Sequence, residues 1–166
     1  MTNAEARLIA EELLFREAFY LDHSDWTPWI QMYEVDAEYW LPAWRDEYET
    51  TADPNTEVSL IYHDSRRGLE ERISRIESRK SVTALPLPRI VHQISNVLVH
   101  EATAELIHTT AAFTVHVYDA RVAKQHSHFG FYEHTFVHKP SEWRIKRKKI
   151  ILVNDRIPTI LDFYSI

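Results

Sequence analysis

The stretch HSHFGFYEHTFVH, His126 to His138, places four histidines within thirteen residues. Imidazole nitrogens ligate zinc or non-haem iron, and an HxH pair on a strand with a third nitrogen or a carboxylate would make a site. On a regular strand His126, His128, His134 and His138 share parity and face one side, with His126 and His128 about 7 Å apart at Cα. Glu133, the adjacent carboxylate, has the opposite parity. A bulge at Gly130 would split the histidines into two pairs on opposite faces. The competing reading is a polar sheet face whose histidines meet solvent, a partner or one another. His92, His100, His108 and His116 spread the same residue type through the neighbouring segments.

Two cationic runs invite other chemistry. RIKRKK, Arg144 to Lys149, would divide its charges between both faces of a strand, and no recognition helix or exposed aromatic set accompanies it. It reads as a basic edge or interface strand, with no nucleic-acid partner. Arg66, Arg67, Arg72, Arg75, Arg79 and Lys80 cluster on one helical segment, where Glu70, Glu71 and Glu77 can neutralise them locally. The alternative for that segment is an arginine-rich docking surface, because planar guanidinium groups suit interfaces. Proton abstraction is a third option: Asp36 or Asp64 with His92 or Tyr39 could form an acid–base pair inside a cavity.

The chain has 166 residues, enough for one domain spanning 1–166 with a sizeable core. Apolar residues make up 45% of it, and seven Phe, eight Tyr and five Trp supply large rigid core pieces. Cysteine is absent, which removes disulfides, cysteine nucleophiles and any cysteine-held metal or cluster. With only Gly68 and Gly130, neither a GxGxxG fingerprint nor a P-loop can exist. Net charge is −6, so no global attraction to nucleic acid or anionic lipid is expected. No apolar run approaches the roughly eighteen residues that span a bilayer, and the acidic start is unlike a signal peptide. A cytoplasmic protein is the expectation.

The elements that would position these residues follow from periodicity. Ile9, Ala10, Leu13, Leu14, Ala18 and Leu21 recur at helical spacing over about 3–21. Ser24 or Asp25 can cap a second helix with Pro28 in its first turn and Trp26, Trp29, Ile30 and Tyr33 as anchors. Short strands are expected at 37–41 and at VSLIYH, and a third helix after Asp64 or Ser65 with Leu69, Ile73 and Ile76 on one face. The prolines of ALPLPR, 84–89, demand extended chain. Strands then follow at about 89–100, 104–118, 121–138 and 142–153. The second of them alternates, with Ile107, Ala111, Phe113, Val115 and Val117 on one face. Three helices followed by a meander make an α+β domain, its helices packed into one strongly curved, mainly antiparallel sheet. Gly130 is the expected place for the strand to bend.

Three separated segments carry a resemblance: SLIYHDSRRGLEERISRI (59–76), LPRIVHQISNV (87–97) and LVNDRIPTILDFYSI (152–166). In order and register they are similar to the small, or beta, subunit of aromatic-ring-hydroxylating dioxygenases, nearest the benzoate, toluate and anthranilate branch. Where that family often has a Thr-Gly-like turn after the third helix, this chain reads ESRKSV, 77–82. The resemblance implies a cone-shaped fold of the nuclear-transport-factor-2-like type. It implies a larger alpha-subunit partner holding a Rieske [2Fe-2S] cluster and a mononuclear Fe(II), in an α3β3 hexamer with beta–beta contacts in a trimer. This chain would then be architectural, with no catalytic, cofactor-binding or metal residues of its own. Arg66, Arg72, Arg75, Arg89 and His92, which fall in the family-like segments, become the candidate subunit-interface residues. The assembled enzyme would use NADH and O2 to dihydroxylate an aromatic, benzoate-like substrate. The alternatives are a stand-alone isomerase or dehydratase of the same fold with a pocket His/Asp pair, and a module that sequesters a small aromatic ligand.

Overall fold

A computed structural model describes residues 1–79 and 85–166 of the chain. Half of the ESRKSV segment, Lys80 through Val82, therefore lies outside the described residues, as does Ala84.

Helix α1 (Asn3–Asp22) opens with a reciprocal cap. Thr2 Oγ1 accepts from the Glu5 N–H at 3.2 Å, and Glu5 Oε2 accepts from the Thr2 N–H at 2.7 Å. Its buried stripe is Ala6, Ala10, Leu14, Glu17, Ala18 and Leu21. The small residues let the helix lie close to the sheet, and Glu17 is the exception that matters. Helix α2 (Trp26–Gln31) follows Asp25 at its N-cap and buries Trp26 and Trp29. Strand β1 (Tyr33–Pro42), strand β2 (Ser59–His63) and helix α3 (Arg66–Glu77) come next. Leu69, Ile73 and Ile76 form the buried face of α3, as their spacing predicts. The meander is β3 (Arg89–Ala102), β4 (Leu106–Asp119), β5 (Lys124–His138) and β6 (Trp143–Leu152), and a short 3-10 turn, Phe163–Ser165, closes the chain. Among the described residues no helix is long and apolar enough to cross a membrane.

The six strands form one sheet in the order β2-β1-β6-β5-β4-β3. Every pairing is antiparallel except β1 with β6, which is parallel. Two expectations are corrected by this order. Strand β6, carrier of the basic run, lies between β1 and β5 and is a central strand rather than an edge. Its charges are consequently paired: Lys146 with Asp36 at 2.5 Å, Arg147 with Glu38 at 2.6 Å, Lys148 with Glu17 at 2.9 Å and Lys149 with Glu133 at 3.5 Å. β1 is also twice the expected length, because its first half pairs irregularly, the register jumping between Tyr33 and Glu38.

The bending is not at Gly130. Register runs unbroken through that residue to both neighbours, Phe113 on β4 and Leu152 on β6. Irregularities sit elsewhere, in β3 around Asn96, whose φ is 53°, and between β5 and β6 at Thr135/Phe136. What Gly130 provides is close approach: a Cβ there would stand 1.9 Å from the Ile151 carbonyl oxygen. That atom is backbone and cannot swing away. Gly130→Ala is therefore expected to destabilise the chain by about 1–3 kcal/mol, read as a lower urea midpoint. A variant as stable as the parent would contradict this contact.

Candidate functional site

Because β5 keeps its register, His126, His128 and His134 all face the concave side that α1 covers, as strand parity predicts without a bulge. They belong to different rows of that face. The row through His134 reads Thr109, His134, Lys148, Tyr39, His63 across β4, β5, β6, β1 and β2. Glu17 descends onto it from α1. Lys148 Nζ donates to Glu17 Oε1 at 2.9 Å, the Tyr33 hydroxyl donates to the same oxygen, and His134 Nε2 stands 3.5 Å from Oε2, a long contact. Lys148 Nζ also lies 4.3 Å from the Tyr132 ring centroid. The side chains of Glu17, Lys148 and His134 are 2% exposed or less.

The electrostatics of this cluster shift the carboxyl and the phenols away from neutral pH. Burial would push the Glu17 carboxyl up, but the Lys148 ammonium, then His134 and Tyr33, pull it well below the usual range. Burial lowers Lys148 against the attraction of Glu17, and lowers His134 in the same way. Burial, reinforced by the Glu17 charge, raises Tyr33, Tyr39 and Tyr132 well above an ordinary phenol. A carboxylate this strongly held is a poor base, and tyrosines this strongly raised are poor acids. The arrangement can pin α1 to β6.

A second row is built on His92. Asp22, at the end of α1, meets the His92 ring Nδ1 at 2.6 Å and accepts from the His92 backbone N–H at 3.1 Å. His92 aligns through Val115 with His128, whose ring is fully buried with both nitrogens unpartnered among the described residues. His126 follows one row on, its ring 5.0 Å from that of His128. Burial, and then His126, lower His128 from 6.5 to about 4. The sign of the consequence is fixed by that direction: between pH 6.5 and 4 the unfolded chain binds a proton that the folded chain sheds. Stability is then full above 6.5 and falls as pH drops through the window, by about 3 kcal/mol at about 1.4 kcal/mol per unit. His128→Leu should flatten urea midpoints measured from pH 7 to 4.5; an unchanged slope would contradict the assignment.

The histidines of the opening stretch thus share a face without sharing a site. His138 is exposed at the end of β5, its ring 4.9 Å from Trp143. Among the described residues no group of three or more His, Cys, Asp or Glu is placed to hold a metal. A Rieske cluster needs two cysteines, and the chain has none, so its residues do not fit that group. The expected acid–base pairs are not brought together. Asp36 is exposed and paired with Lys146, Asp64 is exposed, and Tyr39 is buried in the Lys148 row. The apolar groove of about 500 Å³ between α1, α2 and Trp143 lies apart from both rows.

The remaining candidates divide by exposure. Arg66 donates to the Tyr33 carbonyl at 3.1 Å and pairs with Glu70 at 2.9 Å. Arg72 grips Asp162 through two guanidinium nitrogens. Arg75 and Arg89 are exposed, Arg89 lying 5.8 Å above the Tyr118 ring. The His92 side chain is 1% exposed and engaged within the chain. Sequence reasoning missed Glu17, Lys148, His134, Tyr33 and Asp22 as a set. A signal for Glu17 was present: it stands three residues after Leu14 and four before Leu21, on the apolar stripe of α1.

The family model described as "Ring hydroxylating beta subunit" matches residues 16–159. The anthranilate 1,2-dioxygenase small subunit of Acinetobacter baylyi is 36% identical, covering 98% of each chain. The solved beta subunit of benzoate 1,2-dioxygenase from Burkholderia mallei superposes with a TM-score of 0.79 at 29% identity, covering 95% of each. A putative scytalone dehydratase from Novosphingobium aromaticivorans has a TM-score of 0.68 at 13% identity over 90% of this chain and 87% of its own, a likeness of fold alone. The cone-shaped α+β architecture, the family match along most of the chain and the near-full-length relatives agree, and the chain belongs to the ring-hydroxylating beta subunit family.

Proposed function

We propose that this chain, residues 1–166 as one domain, is the architectural small subunit of a cytoplasmic aromatic-ring dioxygenase acting on a benzoate-like acid. A larger alpha subunit would hold the Rieske cluster and the mononuclear iron, and an α3β3 hexamer is the assembly. The observation that carries this reading is the interior of the cone. On the concave side of the sheet, beneath α1, this chain buries the Glu17–Lys148 ion pair. Relatives named as small subunits of anthranilate and benzoate dioxygenases support the substrate class.

The functional test is reconstitution. The isolated chain, given benzoate, O2, NADH and a matching reductase, should yield no diol; adding the larger subunit should restore turnover, saturating at one chain per larger subunit. Turnover by the isolated chain would overturn the reading. Of the candidate interface residues, Arg75 and Arg89 are the ones presented outward, whereas Arg66, Arg72 and His92 support the elements that present them. Arg75→Glu or Arg89→Glu should weaken capture of the larger subunit by about tenfold or more, since reversing a charge at an interface costs on the order of a few kcal/mol. Unchanged capture by both variants would remove these residues from the interface.

A further inference from the structure

Beyond the ion pair under α1, the concave face carries a line of histidines whose hydrogen bonding the protein leaves incomplete. His126 lies beside Val117 and His128 beside Val115, with His92 on the far side of Val115 in the same row. Four buried ring nitrogens there have no hydrogen-bond partner among the described residues: His92 Nε2, His126 Nε2 and both nitrogens of His128. His128 is 0% exposed and the His92 side chain 1%. A buried imidazole nitrogen without a partner forfeits its hydration and receives nothing in return. Four of them within two adjacent rows mark a place where something else completes the bonding.

The space beside them is small and polar. A cavity of about 30 Å³ lies where the C-terminal tail crosses the end of the sheet, lined by Asp119, Arg121 and His126 on one side and by Thr159, Tyr164 and Ser165 of the tail on the other. Some of these groups are already engaged. Arg121 donates to Asp119 at 2.8 Å, and the Ser165 hydroxyl is taken up by the Asp162 backbone. Tyr164 keeps its proton, because burial and then Asp162 push the phenol up to about 12, so its O–H is a donor. A water molecule needs roughly 10–15 Å³ and two to four polar partners, so about two fit. An aromatic ring needs on the order of 150 Å³. Size therefore rules out a benzoate-like ligand at this place.

The histidines themselves select the occupant. Asp22 accepts from His92 Nδ1 at 2.6 Å, which in the neutral ring leaves Nε2 as an acceptor. His128, kept neutral at pH 7 by its burial, presents one N–H and one acceptor nitrogen. Strands two apart put the His92 and His128 Cα atoms roughly 10 Å from each other, with only Val115 between them. Whatever closes this gap must donate to one ring and accept from the other. A metal cation accepts no hydrogen bond, and an ionised carboxylate has nothing to donate, whereas a hydroxyl does both. We propose that this end of the cone is an internal water site, in which bound water molecules link His126 to Tyr164 and His128 to His92, and so join the C-terminal tail and the end of α1 to the sheet. The inference is independent of the subunit reading, because it concerns the interior of a single chain.

The experiment pairs a high-resolution crystal structure of the full chain with magnetic relaxation dispersion of the water oxygen, which counts long-lived internal waters in solution. The variants are His128→Leu and, as a control at the exposed end of β5, His138→Leu, each checked for folding by far-UV circular dichroism. The expected crystal shows solvent peaks at hydrogen-bond distance, about 2.7–3.2 Å, from His126 Nε2 and from a His128 ring nitrogen. The dispersion amplitude should fall by about one or two waters in His128→Leu and stay at the parent's value in His138→Leu. A dry cavity, or His128 nitrogens bonded to protein atoms alone, would overturn the proposal. So would a peak about 2.0–2.1 Å from two imidazole nitrogens, the distance of a metal, or density too large for water. A folded His128→Leu protein with the parent's amplitude would overturn it as well; if that variant does not fold, the parent's crystal structure decides.

Discussion

Glu17→Ala should unfold at a urea concentration corresponding to a loss of about 3–5 kcal/mol, because it leaves the Lys148 ammonium buried without a counter-charge. The magnitude follows from the surroundings. Lys148 is 1% exposed, its one carboxylate contact among the described residues is Glu17, and the Tyr132 ring that it overlies supplies only a weak attraction. Tyr33 would lose its acceptor in the same step. Lys148→Met alone should also destabilise, because it leaves the carboxylate buried with only Tyr33 and a long contact to His134. The paired variant Glu17→Leu/Lys148→Met should recover most of the loss, since well-packed apolar residues often replace a buried ion pair without penalty. Single variants as stable as the parent would show that the pair does not hold α1 to the sheet. The pH sign agrees with the geometry: Glu17 is lowered when folded, so its contribution is full above about 4.5, the ordinary carboxyl value, and is lost as pH falls below it.

Phe163→Ala is expected to cost about 3–5 kcal/mol, the range for removing a buried aromatic ring. Phe163 is 1% exposed, stacked on Trp29 at 4.7 Å between centroids and meeting Trp26 edge-on at 5.3 Å. The tail is thus part of the core, tying β6 back to α2. Asp162 locks it there by accepting from the Phe163 N–H at 2.9 Å while it receives Arg72 from α3. Removing the ring opens a cavity between Trp26 and Trp29 that the surroundings close only in part. Thermal denaturation monitored by tryptophan fluorescence should show a drop of many degrees; a small drop would mean that the tail is held by Ile166 and Tyr164 instead.

Much of this architecture is legible in the sequence because one face of most elements is buried. The helical stripe of α1, the Leu69–Ile73–Ile76 face of α3 and the alternation from Ile107 to Val117 each mark an element without ambiguity of period. The errors fall where tertiary pairing decides. RIKRKK reads as an edge because six adjacent positions carry five cations, yet β6 is central and each charge finds an acid from a neighbouring element. No local pattern announces the parallel β1–β6 pairing that makes this possible. Gly130 reads as a bulge because glycine weakens strands, whereas its missing side chain admits the Ile151 backbone. The buried cluster was hidden for a related reason. Glu17 and Lys148 are 131 residues apart, and only the folded chain brings them together.

Affinity purification of the tagged chain from its native cells, read by subunit mass and visible absorption, distinguishes a dioxygenase subunit from a protein that acts alone. The expected product is a brown complex in which a larger polypeptide with a Rieske-type spectrum accompanies this chain in equal amount. Recovery of a colourless assembly of this chain alone, under conditions that preserve other complexes, would contradict it.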